Sequence, residues 1–526
     1  MRKLNFSMIL VCIFIFVVSC SDRQKSERVI LNDTLQLQQA QINSFDPVDA
    51  YHEAHIHMVK QLYNTLTDVD FTGKAIPSLA KSWETTDGIK WIFHLRDDVL
   101  FAENSCFKNE SERSLNAEDV KYTFERLLKK ESKSLGASYF HNIMGFDEFI
   151  NGKSNNLEGL TIEGKNKIFF KLKKADFNFP NLLTLQYTGI VKRKAIEFYG
   201  EKYKLNPVGT GPFRLVSFAS NQSVQFAKNP SYWEKQDGKQ LPSIDDLTIH
   251  LSTDDNLSIL MFKNKKIDFL WLNLPMQKQI ENIKIPFEYK KEIIEWANLN
   301  FYLFNLEKLD NNSRLGINYA MNRKGLQDIL EEQGNVTQSL YPSLFKQLSK
   351  PNKKLSYNTE IATRYLNAKR TIKLVCFEDI LSRGLADYVA KSLKKYAITV
   401  EIESVTFPVL VDRLTTGKYD MIQLYWGIAY ADVRHFLNPF ITSSFPPTGN
   451  NFNKYSNVDF DALVEMAPQL PPEKQIDQYL NAQEIILNDM PFLLVYYKNI
   501  VRVSNNNFHL PLHPLGYRLY KFARKN

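Results

Sequence analysis

The segment NPVGTGPFRLVSF, Asn206 to Phe218, places two prolines around a Gly-Thr-Gly sequence in a chain of 526 residues that has only 20 glycines. A glycine pair can form a phosphate-binding loop where a strand leads into the N-terminus of a helix. Here Pro207 and Pro212 flank the glycines, and FRLVSF alternates apolar and polar residues as a strand does. The segment therefore predicts a loop that enters a strand, and no phosphate site.

The composition indicates a globular chain of two or three domains, because the 526 residues are 44% hydrophobic and 24% charged. The formal net charge is +8, and no basic block is interleaved with aromatic residues, so a nucleic-acid partner is not expected. Of the four cysteines, Cys106 and Cys376 lie outside the N-terminal segment. Two cysteines make no disulfide framework, and both are expected to be free thiols.

The N-terminus has the pattern of an export signal. Arg2 and Lys3 precede the apolar run MILVCIFIFVVSC, which is too short to span a membrane comfortably. The run ends in Val17-Val18-Ser19-Cys20, which resembles a bacterial lipobox. We predict a lipoprotein signal peptide at residues 1–20, with lipidation of Cys20, and a polar tether at residues 21–29. The alternative is a plain signal peptide in which Cys20 is incidental.

Strand and helix patterns alternate along the rest of the chain, which predicts an α/β fold. KWIFHLRDDVLF (90–101) and KIFFKLKKADF (167–177) predict strands. Between them, NAEDVKYTFERLLKK predicts a helix with Asn116 as its N-cap. SRLGINYAMNRKGLQDIL (313–330) predicts a further helix.

The sequence gives no reason to propose an enzyme. GLTIEGKN, Gly159 to Asn166, nearly matches a nucleotide-binding Walker loop, but it ends in Asn and joins two strand patterns. It therefore predicts a hairpin turn. No GxSxG nucleophile elbow and no HExxH motif occurs in the sequence. We predict no cofactor.

Three of the nine histidines lie in YHEAHIHM, which begins at Tyr51. His52 and His55 are spaced to share one helical face and one metal ion. The alternative is the polar first turn of a helix that continues as MVKQLYNTL. Because no carboxylate or thiolate at ligand spacing completes a set, we predict no metal site.

YWGIAYADVRHFLNPF, Tyr425 to Phe440, follows a strand pattern and combines aromatic residues, small residues, an acid and an arginine. Clusters of this composition line ligand clefts. The alternative interpretations are that Tyr425 and Trp426 end a core strand and that Asp432 and Arg434 form a surface ion pair.

Six segments together resemble, in order, the signature blocks of the family 5 extracellular solute-binding proteins, which are receptors of oligopeptide, dipeptide and nickel ABC importers. The segments are IPSLAKSWETTDGIKWIFHLRDDVLF, LNAEDVKYTFERLL, NPVGTGPFRLVSF, NPSYW, LGINYAMNRKGL and YSNVDFDALVEMA. The resemblance covers nearly the whole mature chain. It implies that the opening segment is a scaffold element of the first lobe, in which glycines and prolines serve a backbone turn.

The resemblance implies a two-lobed periplasmic-binding-protein type II fold with an extra subdomain inserted in lobe one. The two strands that cross between the lobes are expected near Tyr289 and Tyr497. The implied segments are 30–77, 194–288 and 498–526 for lobe one, 78–193 for the insert, and 289–497 for lobe two.

The resemblance also places the ligand. In peptide-binding relatives the loop after an N-terminal Asp-Pro touches the ligand, and a tryptophan-containing strand of lobe two pairs its backbone with an extended peptide. Main-chain groups of Tyr425 and Gly427 would make those hydrogen bonds here. The predicted ligand-binding residues are Tyr51, His52, Glu53, Tyr425, Trp426, Gly427, Ala429, Tyr430, Asp432 and Arg434.

One position departs from the family pattern. Oligopeptide receptors have an aspartate three residues after the tryptophan that holds the amino terminus of the peptide, and this chain has Ala429. Glu53 or Asp432 is expected to replace that carboxylate if the ligand has a free amine. Arg434 or His435 is expected to be available for a ligand carboxylate.

The function implied is that of a lipid-anchored receptor of an ABC importer, which captures a peptide or peptide-like solute between its lobes by hinge closure. Its expected partners are the permease subunits and the membrane, through the lipid anchor, and a monomer is expected. The expected location is the cell envelope, facing the periplasm or the exterior. The alternatives are a receptor for a metal chelate or haem, and a sensor or adhesin that does not take part in transport.

Overall fold

The computed structural model describes residues 34–447 and 449–526. The predicted signal peptide, Cys20, the tether and the first residues of the predicted lobe one therefore lie outside the described residues. Within the described ranges, no helix is both long enough and apolar enough to cross a membrane.

Helices and strands alternate throughout these ranges. The α-helices are α1 (Glu53–Leu62), α2 (Ala117–Leu128), α3 (Phe146–Ile150), α4 (Phe179–Leu182), α5 (Arg193–Tyr199), α6 (Asp255–Lys263), α7 (Leu274–Asn282), α8 (Asn311–Ala320), α9 (Arg323–Leu330), α10 (Thr359–Tyr365), α11 (Ile380–Lys394), α12 (Phe407–Thr415), α13 (Arg434–Leu437), α14 (Val458–Met466) and α15 (Pro472–Asp489). The strands are β1 (Thr34–Gln39), β2 (Thr67–Val69), β3 (Ala75–Pro77), β4 (Ala80–Glu84), β5 (Lys90–Leu95), β6 (Leu160–Glu163), β7 (Lys167–Lys171), β8 (Phe213–Ala219), β9 (Ser223–Lys228), β10 (Lys235–Gln236), β11 (Lys239–Gln240), β12 (Asp246–Leu251), β13 (Phe269–Leu272), β14 (Lys290–Phe304), β15 (Gly334–Val336), β16 (Arg370–Phe377), β17 (Ile398–Val405), β18 (Met421–Gly427), β19 (Phe492–Ser504), β20 (Phe508–His509) and β21 (Arg524–Lys525).

Three larger sheets organise the chain. Sheet 1 has the order β1-β12-β9-β8, sheet 2 has β4-β5-β7-β6, and sheet 3 has β13-β19-β14-β18-β16-β17, with β15 also on β19. Sheet 3 is mixed, because β16 is parallel to β17 and β18 whereas β14 is antiparallel to β18 and β19. Parallel strands connected through helices confirm the predicted α/β class.

The sheets follow the segments implied by the resemblance. Sheet 1 lies within the segments for lobe one, sheet 2 lies within the insert, and most of sheet 3 lies within lobe two. Sheet 3 continues into lobe one, because β13 and the C-terminal end of β19, which pair with Phe269 opposite Ser504, both belong to lobe-one segments. The domain boundaries themselves stay a prediction.

Three hydrophobic cores stabilise this arrangement. Buried residues of sheets 1 and 2 pack into one continuous core, whereas most of sheet 3 and the helices on it form a second. A smaller third core packs α6 and α7 against β13 and the C-terminal end of β19. Cys106 and Cys376 are both free, as predicted, and both are buried in these cores.

The helix predicted at residues 117–130 is confirmed as α2. The Asn116 side chain accepts a hydrogen bond from the Asp119 N–H, and the Asp119 carboxylate accepts one from the Asn116 N–H, which makes a capping box. The prediction of one helix over 313–330 is wrong. The chain breaks into α8 and α9, because Asn322 is extended and caps a new helix by accepting from the Lys324 N–H.

The segment that joins α5 to β8 has the predicted loop-to-strand form, with β8 beginning at Phe213. Its glycines are required by a close backbone approach rather than by a turn. A Cβ at Gly209 would lie 2.0 Å from the Leu62 carbonyl oxygen, and one at Gly211 would lie 2.4 Å from the Leu62 carbonyl carbon. The Gly211 N–H donates to that oxygen at 2.9 Å. These glycines therefore fit the loop against the C-terminal end of α1.

Candidate functional site

The first feature of the site is an open edge of β18. On one side β18 pairs with β14 along Met421–Gly427. On the other side β16 pairs with it only at Met421 and Ile422. From Leu424 onward, β18 has no strand neighbour on that side in the part of the chain that the structure describes.

The phase of the β14–β18 ladder determines which backbone groups face this open edge. The Ile428 N–H donates to the Ala297 carbonyl oxygen at 3.3 Å. Because hydrogen-bonded pairs alternate along an antiparallel ladder, Trp426 also pairs with β14, while Tyr425 and Gly427 direct their N–H and C=O groups away from it. The open edge is therefore a template for an extended chain.

Side chains alternate at this edge as they do along any strand. Tyr425 is 50% exposed, and its ring lies 5.6 Å from that of Phe377. Trp426 packs on the core of sheet 3, and its indole Nε1 is buried without a hydrogen-bond partner among the described residues. Gly427 adds no side chain, so a ligand backbone can approach the strand there.

The second feature is the start of α1. Tyr51 is 52% exposed, and its ring centroid lies 3.9 Å from that of His52, the N-cap residue of α1. Glu53 is the first residue of the helix, and its carboxylate lies 3.5 Å from the Arg518 guanidinium. Burial opposes the ionisation of Glu53, but neighbouring charges, Arg518 among them, outweigh it and hold the pKa of Glu53 below its ordinary value.

The C-terminal segment brings these two features together. Tyr517 donates its hydroxyl hydrogen to the Ala429 carbonyl oxygen at 2.5 Å, next to the contact between Arg518 and Glu53. Ala429 itself is partly buried. The predicted ligand loop and the segment that follows β18 therefore both contact residues 517–518.

The histidines of α1 are engaged with backbone groups. His55 Nδ1 lies 3.2 Å from the Asp49 carbonyl oxygen, and His55 Nε2 accepts the Asn43 N–H at 3.4 Å. His57 Nε2 lies 3.2 Å from the Gly516 carbonyl oxygen, and burial lowers the pKa of His57 to about 3. In the described ranges, no group of three His, Cys, Asp or Glu side chains is placed to hold a metal ion.

The third feature is a buried ion cluster that joins two distant segments. Asp432 has a fully buried side chain, which accepts the Arg434 N–H at 2.9 Å and Arg434 Nε at 2.8 Å. Arg434 Nη2 also contacts Asp176 Oδ1 at 3.2 Å and Oδ2 at 3.1 Å. Asp432 and Arg434 therefore form an internal ion pair, not the surface pair that was one interpretation of the sequence. Arg434 already has two carboxylate partners.

Asp176 is a site residue that sequence reasoning missed. It lies just after β7, in the segment implied to be the insert, 258 positions before Arg434. No motif surrounds Asp176, and an isolated acidic residue after a strand does not indicate which basic residue it will pair with. Burial raises the pKa of Asp176, since removing a carboxylate from water disfavours its charged form.

Tyr430 completes this region. Its side chain is 9% exposed, and its ring centroid lies 4.5 Å from that of His435 and 6.2 Å from that of Tyr139. Together with Trp426 and Arg434, these rings line a cavity of about 640 Å³ between residues 138–182 and residues 426–469.

The sequence of this chain matches one known protein family. The model of the bacterial extracellular solute-binding proteins, family 5 (middle region), matches residues 74–446. The chain is 24% identical over 485 residues to the peptide transport periplasmic protein SapA of Salmonella typhimurium, covering 86% of this chain and 84% of that protein.

Solved structures show the same fold. The unliganded open form of the periplasmic murein tripeptide-binding protein MppA is similar with a TM-score of 0.79 and 19% identity, over 94% of this chain and 97% of that one. NikZ from Campylobacter jejuni, in complex with Ni(L-His), is similar with a TM-score of 0.71 and 19% identity, over 94% of this chain and 100% of that one. These likenesses confirm the predicted type II periplasmic-binding fold.

Proposed function

Because the chain belongs to the bacterial extracellular solute-binding proteins of family 5, we propose that it is the receptor of an ABC importer and captures a peptide or peptide-like solute. Membership confirms the family predicted from the sequence, and with it a binding protein rather than an enzyme. The relatives SapA and MppA are named for a peptide and a murein tripeptide, which supports the ligand class proposed here.

The observation that carries this proposal is the open edge of β18. Backbone N–H and C=O groups of Tyr425 and Gly427 face away from β14 and have no strand opposite them in the described ranges. An extended peptide can add itself there as a strand, and such hydrogen bonds do not depend on the side chains of the peptide.

We propose that the solute is enclosed by hinge closure at the crossing strands. β14 and β19 pair regularly up to Glu295 opposite Asn499, and pairing resumes at Leu299 opposite Tyr497. Three residues of β14 thus stand opposite a single residue of β19, and a bulge of this kind bends a strand. Small-angle scattering of the protein with a bound peptide is expected to show a smaller radius of gyration than without it.

The proposed anchoring rests on the sequence Val17-Val18-Ser19-Cys20, which lies outside the described residues. The proposed location is the cell envelope, with the receptor facing the periplasm or the exterior. Cys20→Ser is expected to release the protein from membranes. A variant that remains with membranes after a high-salt wash would contradict lipidation.

The test of the binding mode uses two series of one peptide. Native mass spectrometry of the purified mature protein identifies a peptide that it retains, and calorimetry then compares analogues. N-methylation of single backbone amides is expected to weaken binding about tenfold or more at the paired positions, because a hydrogen bond is lost. Substitution of single side chains by alanine is expected to matter less. The opposite ranking would contradict backbone pairing.

A metal chelate or haem is the second candidate ligand class, and a sensor or adhesin is the second candidate role. The likeness to NikZ concerns the fold, and His52 is the exposed imidazole at the start of α1. His55, which would have shared a metal with it, has both nitrogens engaged. Calorimetry with nickel plus histidine measures this alternative directly, and a neighbouring permease gene would favour transport over sensing.

A further inference from the structure

The cavity of about 640 Å³ lies beside the open edge of β18 but is a different surface. Its walls are side chains of residues 138–182 and 426–469, and the two walls touch each other. The Phe177 N–H donates to the Pro468 carbonyl oxygen at 2.8 Å, and Asn181 Nδ2 donates to the Ala431 carbonyl oxygen at 2.9 Å. A volume of this size is typical of a site that encloses a small molecule or part of one.

The buried charges at this cavity do not balance. Asp176 and Asp432 share the single guanidinium of Arg434, which leaves one negative charge in excess. The other charged side chains on the walls are Lys174 and Glu465, which are exposed and opposite in sign. His435 adds no charge near neutral pH, because burial lowers its pKa to about 4.

Asp176 has room for one more partner. Its carboxylate accepts the Asn178 N–H at 2.9 Å and contacts Arg434 Nη2 through each oxygen, whereas a carboxylate offers about four acceptor positions. Its side chain is 12% exposed and lines the cavity. Tyr139, on the same wall as Asp176, and Tyr430, on the opposite wall, also line the cavity, and aromatic rings of this kind attract cations through their faces.

We propose that this cavity is a subsite for a cationic group of the solute, an ammonium or a guanidinium, which pairs with Asp176. The proposal rests on the proposed function, because the solute bound along β18 carries that group. Trp426 connects the two surfaces, because it belongs to β18 and also lines the cavity. An anionic group would meet an arginine that is already neutralised.

The experiment compares peptides that differ in one charge. Alanine tetrapeptides with a single lysine, or with its uncharged analogue norleucine, at each of the four positions are titrated by calorimetry at low ionic strength. At one position the lysine peptide is expected to bind about tenfold more tightly to the wild type, since a charge-assisted hydrogen bond is gained. Asp176→Asn is expected to abolish this preference.

Two further variants control for net charge and for folding. Glu360→Gln makes the same change of charge at an exposed position of α10 that does not line the cavity, and it is expected to keep the preference. Lys174→Glu changes an exposed residue of the cavity wall, which should leave folding intact, and it is expected to increase the preference for lysine.

The outcomes separate the two proposals. Equal binding of lysine and norleucine peptides at every position, or a preference for norleucine, would overturn the subsite while peptide capture stands. If neither peptide series binds, peptide capture is overturned, and the subsite is then judged with n-butylguanidinium and n-butanol as probes. If the subsite exists, n-butylguanidinium raises the melting temperature of the wild type more than n-butanol does. It also raises the melting temperature of the wild type more than that of Asp176→Asn. If either difference is missing, the subsite is overturned as well.

Discussion

Two neighbouring parts of the molecule, both proposed to contact the solute, differ in the groups that they present. The open edge of β18 presents backbone groups of Tyr425 and Gly427 that lack a strand partner in the described ranges, whereas seven residues further on Arg434 is held by two buried carboxylates. A backbone edge accepts many sequences, because every peptide carries the same main chain. A buried charged side chain accepts few ligands, because its charge must be compensated by a group of opposite charge.

With the proposed binding mode and the proposed subsite, one short segment would combine tolerance for different peptide sequences with selectivity for a charged group. Leaving the edge of β18 unpaired requires little free energy, because water can hydrogen-bond to its exposed backbone groups. The cluster of Asp176, Asp432 and Arg434 depends on Arg434, because its guanidinium is the cation that compensates both buried carboxylates. The two regions should therefore respond very differently to substitution.

The largest expected effect is on the cluster. Arg434→Ala leaves two buried carboxylates without their cation, and we expect the free energy of unfolding to fall by about 3–5 kcal/mol. Denaturation by urea measures this loss. Arg383→Ala is the control, because Arg383 and Asp387 form an exposed pair whose side chains are 51% and 55% accessible. That control should lose about 1 kcal/mol or less. Equal losses in the two variants would show that the cluster is not structurally important.

An intermediate effect is expected from pH. The pKa of His435 is about 4 in the folded protein and near 6.5 when unfolded, so the unfolded chain binds more protons between these values. Stability contributed by neutral His435 is therefore present above pH 6.5 and is lost as the pH falls towards 4, by at most about 1.4 kcal/mol per pH unit.

His435→Gln removes this titration, and its unfolding free energy is expected to fall less steeply between pH 6.5 and 4 than that of the wild type. Denaturation curves at several pH values for both proteins provide the measurement. Parallel pH profiles would mean that His435 does not titrate in that window when the chain unfolds.

The smallest effect is expected at the open edge. Tyr425→Ala removes an exposed ring but keeps the backbone groups, so peptide affinity should fall by less than about tenfold, or about 1.4 kcal/mol. Calorimetry with one bound peptide tests this, and Glu360→Gln again serves as an unrelated surface control. Loss of detectable binding in Tyr425→Ala would show that the edge recognises its ligand through side chains.

Much of the secondary structure could be predicted from the sequence, because helix caps and turns depend on residues that are close together in the chain. Asn116 predicted the start of α2, and the hairpin between β6 and β7 was predicted from GLTIEGKN. Both structures form from residues a few positions apart. The division at Asn322 was missed, because the apolar pattern continues through it and the capping preference of a single asparagine is a weak signal.

The site was accessible only in part. Tyr425 and Gly427 could be placed by resemblance, but the side of the strand on which their backbone groups lie depends on the ladder with β14. Likewise, His52 and His55 have the spacing of a metal pair, yet contacts with Asn43 and Asp49 engage both His55 nitrogens. Such contacts come from loops whose paths the sequence pattern does not predict.

The family and the α/β class followed from the amino-acid sequence alone, and the sequence also supplied the prediction that a ligand binds along Tyr425–Gly427. The pairing of Arg434 with Asp176, the fit of Gly209 and Gly211 against Leu62, and the cavity next to Trp426 became visible only in the folded chain. These features differ from the predicted ones in the range of the interactions that produce them. Periodicity, capping and turns act over a few residues, whereas a contact between residues 258 positions apart depends on how the whole chain is arranged in space.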